Sequence, residues 1–518
     1  MNRKKLPIGI QTFREIREEN HYYVDKTSFA LRLIEEGKYY FLSRPRRFGK
    51  SLFLDTLGEL FEGNQSLFQG LACYDRWDWS TVYPVVRLNL GQGLVRSEQE
   101  LRQLLGEQIR QHQVKFGTFT DTDRLSGQLQ QLIEQTHRQS GQRVVVLVDE
   151  YDKPILDHIS EPELAKDLRN LLRDVYSVLK GSDAHLKFVF LTGVSKFSKV
   201  SLFSGLNNLK DITVDQRYSA LCGYTEQDLE TVFAPELVGL DRQEIRQWYN
   251  GYNWGGEAVY NPFDLLLLFD SRQFSPYWFE TGTPTFLVNL LAHRQLFTPQ
   301  LAHWVTSMEL LSSFDVDDMS NEALLWQTGY LTIQQVEEVL LGHRAYTLSY
   351  PNREVEWSLN NCLLRAYGLP ATEAAQHTLR LPSLLRNADF AGLEHHFRSL
   401  FASIPYHWHT QNNLAHFEGY YASIFYSHLA SLGLDIQPED VTNKGRIDLT
   451  LRFEKQVYLF EFKIAERFPQ ESPLQQIRDR GYAEKFIAEG VSIHCIGIRF
   501  SEKQRNILEW QFESLPSF

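Results

Sequence analysis

Cysteine is scarce in this chain and its four copies are scattered. Cys73, Cys222, Cys362 and Cys495 form no C-x-x-C pair. Such spacing suggests neither a zinc site nor a disulfide framework, and a reducing compartment fits it best. Long apolar runs are missing too, so no membrane partner is expected. The basic start, Met1-Asn-Arg-Lys-Lys, leads into Leu6–Phe13, a stretch too short and mixed for a signal-peptide core. Together these absences predict a cytoplasmic protein. There is no excess of positive charge: the formal net charge is −12, so any nucleic-acid contact must rest on a local basic groove. Internal repeats and low-complexity tracts are absent.

What remains is length and apolar material. A chain of 518 residues predicts roughly two to four domains. Apolar residues make up 43% and charged residues 23%, the balance of a soluble globular protein. Tyr39–Ser43, Val85–Leu90, Val144–Asp149 and Lys187–Thr192 read as buried strands. Helical patterns lie between them, such as Glu98–Val114 and Leu164–Leu179. Strands separated by helices predict a parallel α/β sheet over residues 1–265. Residues 266–360 read as a helical or winged-helix-like domain with β-like pieces at Tyr330–Val336 and Arg344–Tyr350. Residues 361–395 read as a helical connector. Strands return in 396–518, at Ile447–Phe453, Val457–Ile464 and Ser492–Arg499.

Ser43-Arg-Pro-Arg-Arg-Phe-Gly-Lys-Ser51 lies between the first strand and the helical run Leu52–Phe61. A strand, a tight loop and a helix form the context a phosphate cradle needs, because backbone N–H groups and the helix N-terminus face the anion. Arg46, Arg47, Phe48, Gly49, Lys50 and Ser51 are therefore the expected ATP-binding residues. Lys50 would reach the β- and γ-phosphates, and the Ser51 hydroxyl would hold Mg²⁺. The general pattern G-x-x-x-x-G-K-[ST] wants glycine where this chain has Arg44. A side chain there must avoid positive φ or accept strain. A basic loop capping a helix would also contain Gly-Lys-Ser.

The strand Val144–Asp149 ends in two acids. Asp149 would hold Mg²⁺ through water, and Glu150 would orient and deprotonate the attacking water. Asp152 follows closely. Thr192, ending the next strand, is the candidate for sensing the γ-phosphate, and Arg217 for an arginine finger.

Six segments now carry a resemblance. They are Tyr23-Val-Asp-Lys-Thr27, Arg44 to Ser51, Val148-Asp-Glu-Tyr-Asp-Lys-Pro154, Leu191-Thr-Gly-Val-Ser-Lys-Phe-Ser198, Phe203-Ser-Gly-Leu-Asn-Asn208 and Trp248-Tyr-Asn-Gly-Tyr252. In order and spacing they resemble the bacterial AAA-ATPase-like family with a C-terminal PD-(D/E)XK nuclease-like domain. That resemblance implies a P-loop NTPase sheet, a middle domain and a C-terminal α/β fold like a restriction endonuclease. Arg44 belongs to the family's own form of the loop.

In the C-terminal part, Arg446-Ile-Asp448 opens one strand and Phe460-Glu-Phe-Lys463 lies in the next. Glu461 and Lys463 are two apart, so they share one face of an otherwise apolar strand. Charges in such a place need a reason. Metal-assisted phosphodiester hydrolysis supplies one: Asp448 and Glu461 would ligate Mg²⁺, and Lys463 would position the attacking water. An exposed hairpin with a surface Glu–Lys pair would share the triplet. The register discriminates. A two-residue turn at Glu454-Lys455 puts Asp448 opposite Glu461, and a three-residue turn puts them on opposite faces, so the nuclease reading demands the first register or a bulge. Resemblance to the PD-(D/E)XK fold adds Glu418, on the helical stretch His416–Leu432, and Gln476.

His395, His396, His407 and His409 read as surface or core-edge residues, and Trp278, Trp304, Trp326 and Trp357 as core. The expected protein is an ATP-dependent regulator of a Mg²⁺-dependent nuclease acting on nucleic acid, DNA before RNA, with a homo-oligomer as one option. The alternative is an ATP-driven switch or scaffold that binds nucleic acid or protein without cutting.

Overall fold

A computed structural model describes residues 3–196, 208–282, 291, 294, 296–312, 319–367, 369, 371–404 and 419–515. The chain forms two compact units. One is Met1–Thr281 with Val305–Thr347, and the other is Gly282–Trp304 with Leu348–Phe518.

The first unit is built on apolar runs that cannot face water on either side. β1 (Tyr39–Ser43) and β3 (Val144–Asp149) are buried at every position. With β2 (Val85–Asn89), β4 (Leu186–Gly193) and β5 (Lys210–Asp211) they form a parallel sheet in the order β2-β3-β4-β1-β5. Helices such as Glu98–Phe116, Leu125–Ser140 and Pro162–Gly181 connect the strands, as parallel pairing requires. Their ends follow local rules. Ser97 caps Glu98–Phe116 by accepting the Glu100 N–H at 3.2 Å, and Gly117 ends it at φ 66°. The register aligns the carboxyl ends of the strands: Ser43 pairs with Gly193, and Asn89 with Asp149. That edge is where open α/β sheets present ligands.

Short helices fill much of 266–349, including Tyr277–Gly282 and Asn321–Thr328. β6 (Trp304–Ser307), β7 (Thr332–Leu340) and β8 (His343–Ser349) form a small sheet with β8 in the middle.

The second unit carries a mixed sheet, β13-β12-β11-β10-β9. Its strands are β9 (Asp435–Thr442), β10 (Gly445–Phe453), β11 (Gln456–Ile464), β12 (Ser492–Ser501) and β13 (Asn506–Leu515). Only β11 and β12 run parallel, and the crossover between them carries the helix Pro473–Asp479 and the 3₁₀ segment Tyr482–Glu489. Leu474, Ile477 and Phe486 from this crossover pack on Val457, Leu459 and Ile493. A Cβ on Gly497 would run into the Leu474 main chain, so this glycine lets the helix lie directly on β12. The helix Gly419–Ala430 sets Phe425 edge-on to Phe460 and Phe462, each at 5.1 Å.

No described helix is long and apolar enough to cross a membrane. The four cysteines are free.

Candidate functional site

The loop after β1 departs from ideal geometry at residues 47 and 49, not at 44. Arg47 has φ 68° and Gly49 has φ 91°, whereas Arg44 has an ordinary negative φ. The Arg44 side chain turns into the protein and is fully buried. Its guanidinium donates to the Ser43 and Thr213 carbonyls at 2.8 Å and to the Tyr218 carbonyl at 3.2 Å. It also lies 4.0 Å from the ring centre of Trp254. Burial lowers its pKa to about 10, which leaves it charged at neutral pH. Arg44 therefore staples the loop from behind.

Other groups hold the loop from the front. Phe48 is buried edge-on against Tyr252 at 4.6 Å and Trp254 at 5.6 Å. The Phe48 carbonyl accepts the Gly223 N–H at 3.2 Å, and the Arg46 carbonyl accepts Trp278 Nε1–H at 3.0 Å. Sequence reading placed Trp278 in a core and assigned no role to Tyr252 or Trp254. The density of aromatics around Trp248–Trp254 was the available signal. Arg46 stands half-exposed, 4.0 Å from Asp157, and the Arg47 guanidinium lies 4.7 Å over the Phe263 ring.

Helix Lys50–Phe61 begins two residues before its apolar pattern does, directly on Gly49. Lys50 is 5% exposed, and its Nζ donates to the carbonyls of Arg44 and Pro45, both at 2.9 Å. Burial lowers its pKa, and the charges of Glu150 and Asp149 oppose that shift. Among the described residues, Lys50 is thus a buried cation whose hydrogen-bond partners are neutral carbonyl oxygens.

Asp149 and Thr192 meet at the ends of β3 and β4. Thr192 is fully buried and donates its hydroxyl to Asp149 Oδ1 at 2.6 Å. The same oxygen accepts the Glu150 N–H at 3.1 Å. Glu150 has φ 50°, and burial raises its pKa while Lys50 opposes the rise. Asp152 accepts from Val194 N–H, Ser195 N–H and the Ser195 hydroxyl, so it clamps the chain leaving β4. Glu150 borders a cavity that Asp149, Asp152 and Thr192 do not line, and neither does Arg217. Arg217 is committed at the surface to Asp215 at 2.6 Å and Glu36 at 2.9 Å.

That cavity measures about 390 Å³, within the usual range for a small-molecule site. Gly49, Lys50, Ser51 and Glu150 line it together with the apolar Ile10, Val24 and Leu266.

In the second unit the hairpin takes the two-residue turn. Phe453 pairs with Gln456, Leu449 pairs with Phe460, and Glu454 has φ 54°. One step further, Asp448 stands opposite Glu461. Asp448 Oδ2 accepts the Phe462 N–H at 2.7 Å. Glu461 is 1% exposed, and its Oε1 accepts from Lys463 Nζ at 3.3 Å and from Gln476 Nε2. Its Oε2 is buried without a hydrogen-bond partner among the described residues. Burial is the main cause raising the pKa of both acids. For Glu461 the Asp448 charge adds to it, and the value reaches about 8.

Among the described residues no group of three or more His, Cys, Asp or Glu could hold a metal. Asp448 and Glu461 form a pair of such acids side by side on the hairpin of the second unit. Glu418, His407 and His409 lie outside the described residues. His395 is exposed, and His396 is buried with its Nε2 2.9 Å from His428 Nε2.

Two family models match the chain. "Predicted AAA-ATPase" matches residues 7–203, and "PD-(D/E)XK nuclease superfamily" matches residues 416–510. The chain is also 57% identical, over 516 residues, to "Uncharacterized protein in vnfD 5'region" of Azotobacter chroococcum mcd 1, covering 99% of this chain and 100% of that protein. The chain belongs to the AAA-ATPase-like family with a C-terminal PD-(D/E)XK nuclease superfamily domain. The phosphate loop, β3 and β4 fall within the AAA-ATPase-like match, and the hairpin and Gln476 fall within the nuclease-superfamily match.

Proposed function

We propose that this protein binds and hydrolyses ATP and thereby controls a Mg²⁺-dependent phosphodiester-cleaving domain that acts on nucleic acid, DNA in preference to RNA. The observation that carries it is Glu461: a buried carboxylate beside Asp448, with one oxygen unpartnered among the described residues. Two raised carboxyls held together are costly unless a cation shares them.

In the first unit, Gly49, Lys50 and Ser51 fit the phosphates of ATP, and the apolar Ile10, Val24 and Leu266 fit its base. Arg46 and Arg47 flank the phosphates, and Phe48 anchors the loop. Ser51 and Asp149 would hold Mg²⁺, which offsets phosphate charge when bound. Thr192 orients Asp149 through its 2.6 Å hydrogen bond. Glu150 accepts a proton from the attacking water, whose oxygen bonds to the γ-phosphorus as the bond to ADP breaks.

In the second unit, Asp448 and Glu461 would hold Mg²⁺, which lowers the pKa of bound water and shields developing charge. Glu418 is assigned to the same set by family pattern. Lys463 positions the water and stabilises the departing oxyanion. Gln476 fixes the rotamer of Glu461 through its hydrogen bond.

The test is cleavage of plasmid DNA and of RNA by the full-length protein with Mg²⁺ or Mn²⁺. Cleavage should appear, DNA being the better substrate, and disappear in Glu461→Ala and in Lys463→Ala. Unchanged cleavage in both variants would remove the site assignment. ATP binding without cleavage of any nucleic acid would support the switch or scaffold.

A further inference from the structure

The turn after β2 brings a glycine against the acid that ends the phosphate site. Gly91 lines the cavity together with Glu150. Its backbone is pinned on both sides. Leu90 N–H donates to the Asp149 carbonyl at 3.1 Å, and Gly91 N–H donates to Asn89 Oδ1 at 2.7 Å. Lys153 Nζ holds the Gly93 carbonyl at 2.9 Å. Asn89 is fixed in turn by Gln108, which binds its N–H and its carbonyl, each at 2.8 Å. This turn has little freedom to retreat.

A methyl group on Gly91 would stand 2.6 Å from Glu150 Oε2 and 2.9 Å from Asn89 Oδ1. Both distances are well inside van der Waals contact. Gly91 does not have positive φ, so alanine there is conformationally allowed. The atoms that must give way are two side-chain ends, the Glu150 carboxylate and, less severely, the Asn89 amide oxygen. Glu150 cannot re-aim cheaply from its own backbone, which already holds φ 50°.

We propose that Gly91 is a positioning residue for ATP hydrolysis: its missing side chain leaves the space in which the Glu150 carboxylate faces the attacking water. This inference rests on the assignment of Glu150 as proton acceptor. Gly91 itself touches neither nucleotide nor water in this role; it acts through Glu150.

The experiment uses the full-length protein with Mg-ATP as substrate and a fluorescent ATP analogue for binding. The variants are Gly91→Ala, Glu150→Asp and the two combined. Gly91→Ala should lower kcat about 100-fold, the scale of a misplaced catalytic group, and leave KM and analogue affinity unchanged. Adding Gly91→Ala to Glu150→Asp should cost far less than in the wild type, because the shorter carboxylate stops short of the methyl and the milder Asn89 contact alone remains. Wild-type kcat in Gly91→Ala overturns the proposal. So does an equal loss in both backgrounds, which would be a general structural effect. Wild-type turnover in Glu150→Gln would remove the proton acceptor itself, and this proposal with it. A crystal structure of Gly91→Ala reads the same question without turnover: a displaced Glu150 carboxylate is expected, and an unmoved one overturns the inference.

Discussion

The two sites bury charge in opposite ways. At the phosphate loop the buried groups are cations, Arg44 and Lys50, and the atoms that satisfy them are main-chain carbonyls. At the hairpin the buried groups are carboxyls, and one oxygen of Glu461 is left without a partner among the described residues. Neutral oxygens stabilise a cation without cancelling its charge, so the loop keeps its pull on an anion. Two carboxyls side by side raise each other's cost and keep their pull on a cation. Each site therefore holds the charge its proposed ligand lacks. The loop is preorganised through many hydrogen bonds, although Arg44 Nε, like Glu461 Oε2, is buried without a hydrogen-bond partner among the described residues.

Substitutions can break this contrast. The largest effect is expected from Glu461→Gln, which keeps the shape and removes the charge. DNA cleavage should fall by about 10³-fold or more, a scale typical for losing an essential catalytic group, with ATP turnover unaffected. Next comes Lys50→Ala. Losing one charge-assisted interaction should weaken ATP binding about 10- to 100-fold by calorimetry. Arg44→Gly would make the loop conform to the general motif, yet the fold should suffer. It removes three hydrogen bonds and the Trp254 contact, leaving the Thr213 and Tyr218 carbonyls without them. A loss of about 3 kcal/mol is expected from thermal or urea unfolding, with no gain in ATP affinity. A more stable or tighter-binding Arg44→Gly would mean that the arginine is not a staple.

These sites were unequally legible in sequence. β1, β3 and β4 are apolar runs buried on both faces, and the sheet followed from them. The hairpin register stayed open in sequence between a two-residue turn, a three-residue turn and a bulge, and the structure takes the two-residue turn that brings Asp448 to Glu461. β9 was missed because its residues are mostly exposed or half-exposed and it contains Pro438, as edge strands can. β13, on the opposite edge, lacks a continuous apolar run. The fate of Arg44 was also hidden, since its partners Thr213, Tyr218 and Trp254 lie far along the chain. Sequence flagged a possible strain at position 44 but could not show that a buried arginine would fasten the loop there. Long-range partners of one side chain leave no periodic signal.

The pH dependence is the most discriminating effect, because its sign reverses when metal is added. Glu461 has a pKa near 8 in the metal-free fold against an ordinary 4.5. Folding therefore favours the protonated acid. Its contribution to metal-free stability is fully present below pH 4.5 and is lost as pH rises through about 8. Binding Mg²⁺ requires the ionised form, so the metal must displace a proton at neutral pH. Affinity should rise by up to tenfold per pH unit between pH 6 and 8 and level off above, and each Mg²⁺ bound near pH 7 should release about one proton. Calorimetry in buffers of different ionisation enthalpy measures that release. In Glu461→Gln the linked proton should vanish. The phosphate loop offers the internal comparison, because burial moves Lys50 the other way and ATP needs it protonated. Mg²⁺ affinity that stays flat from pH 6 to 9 would show that the hairpin carboxyls are not the metal's ligands.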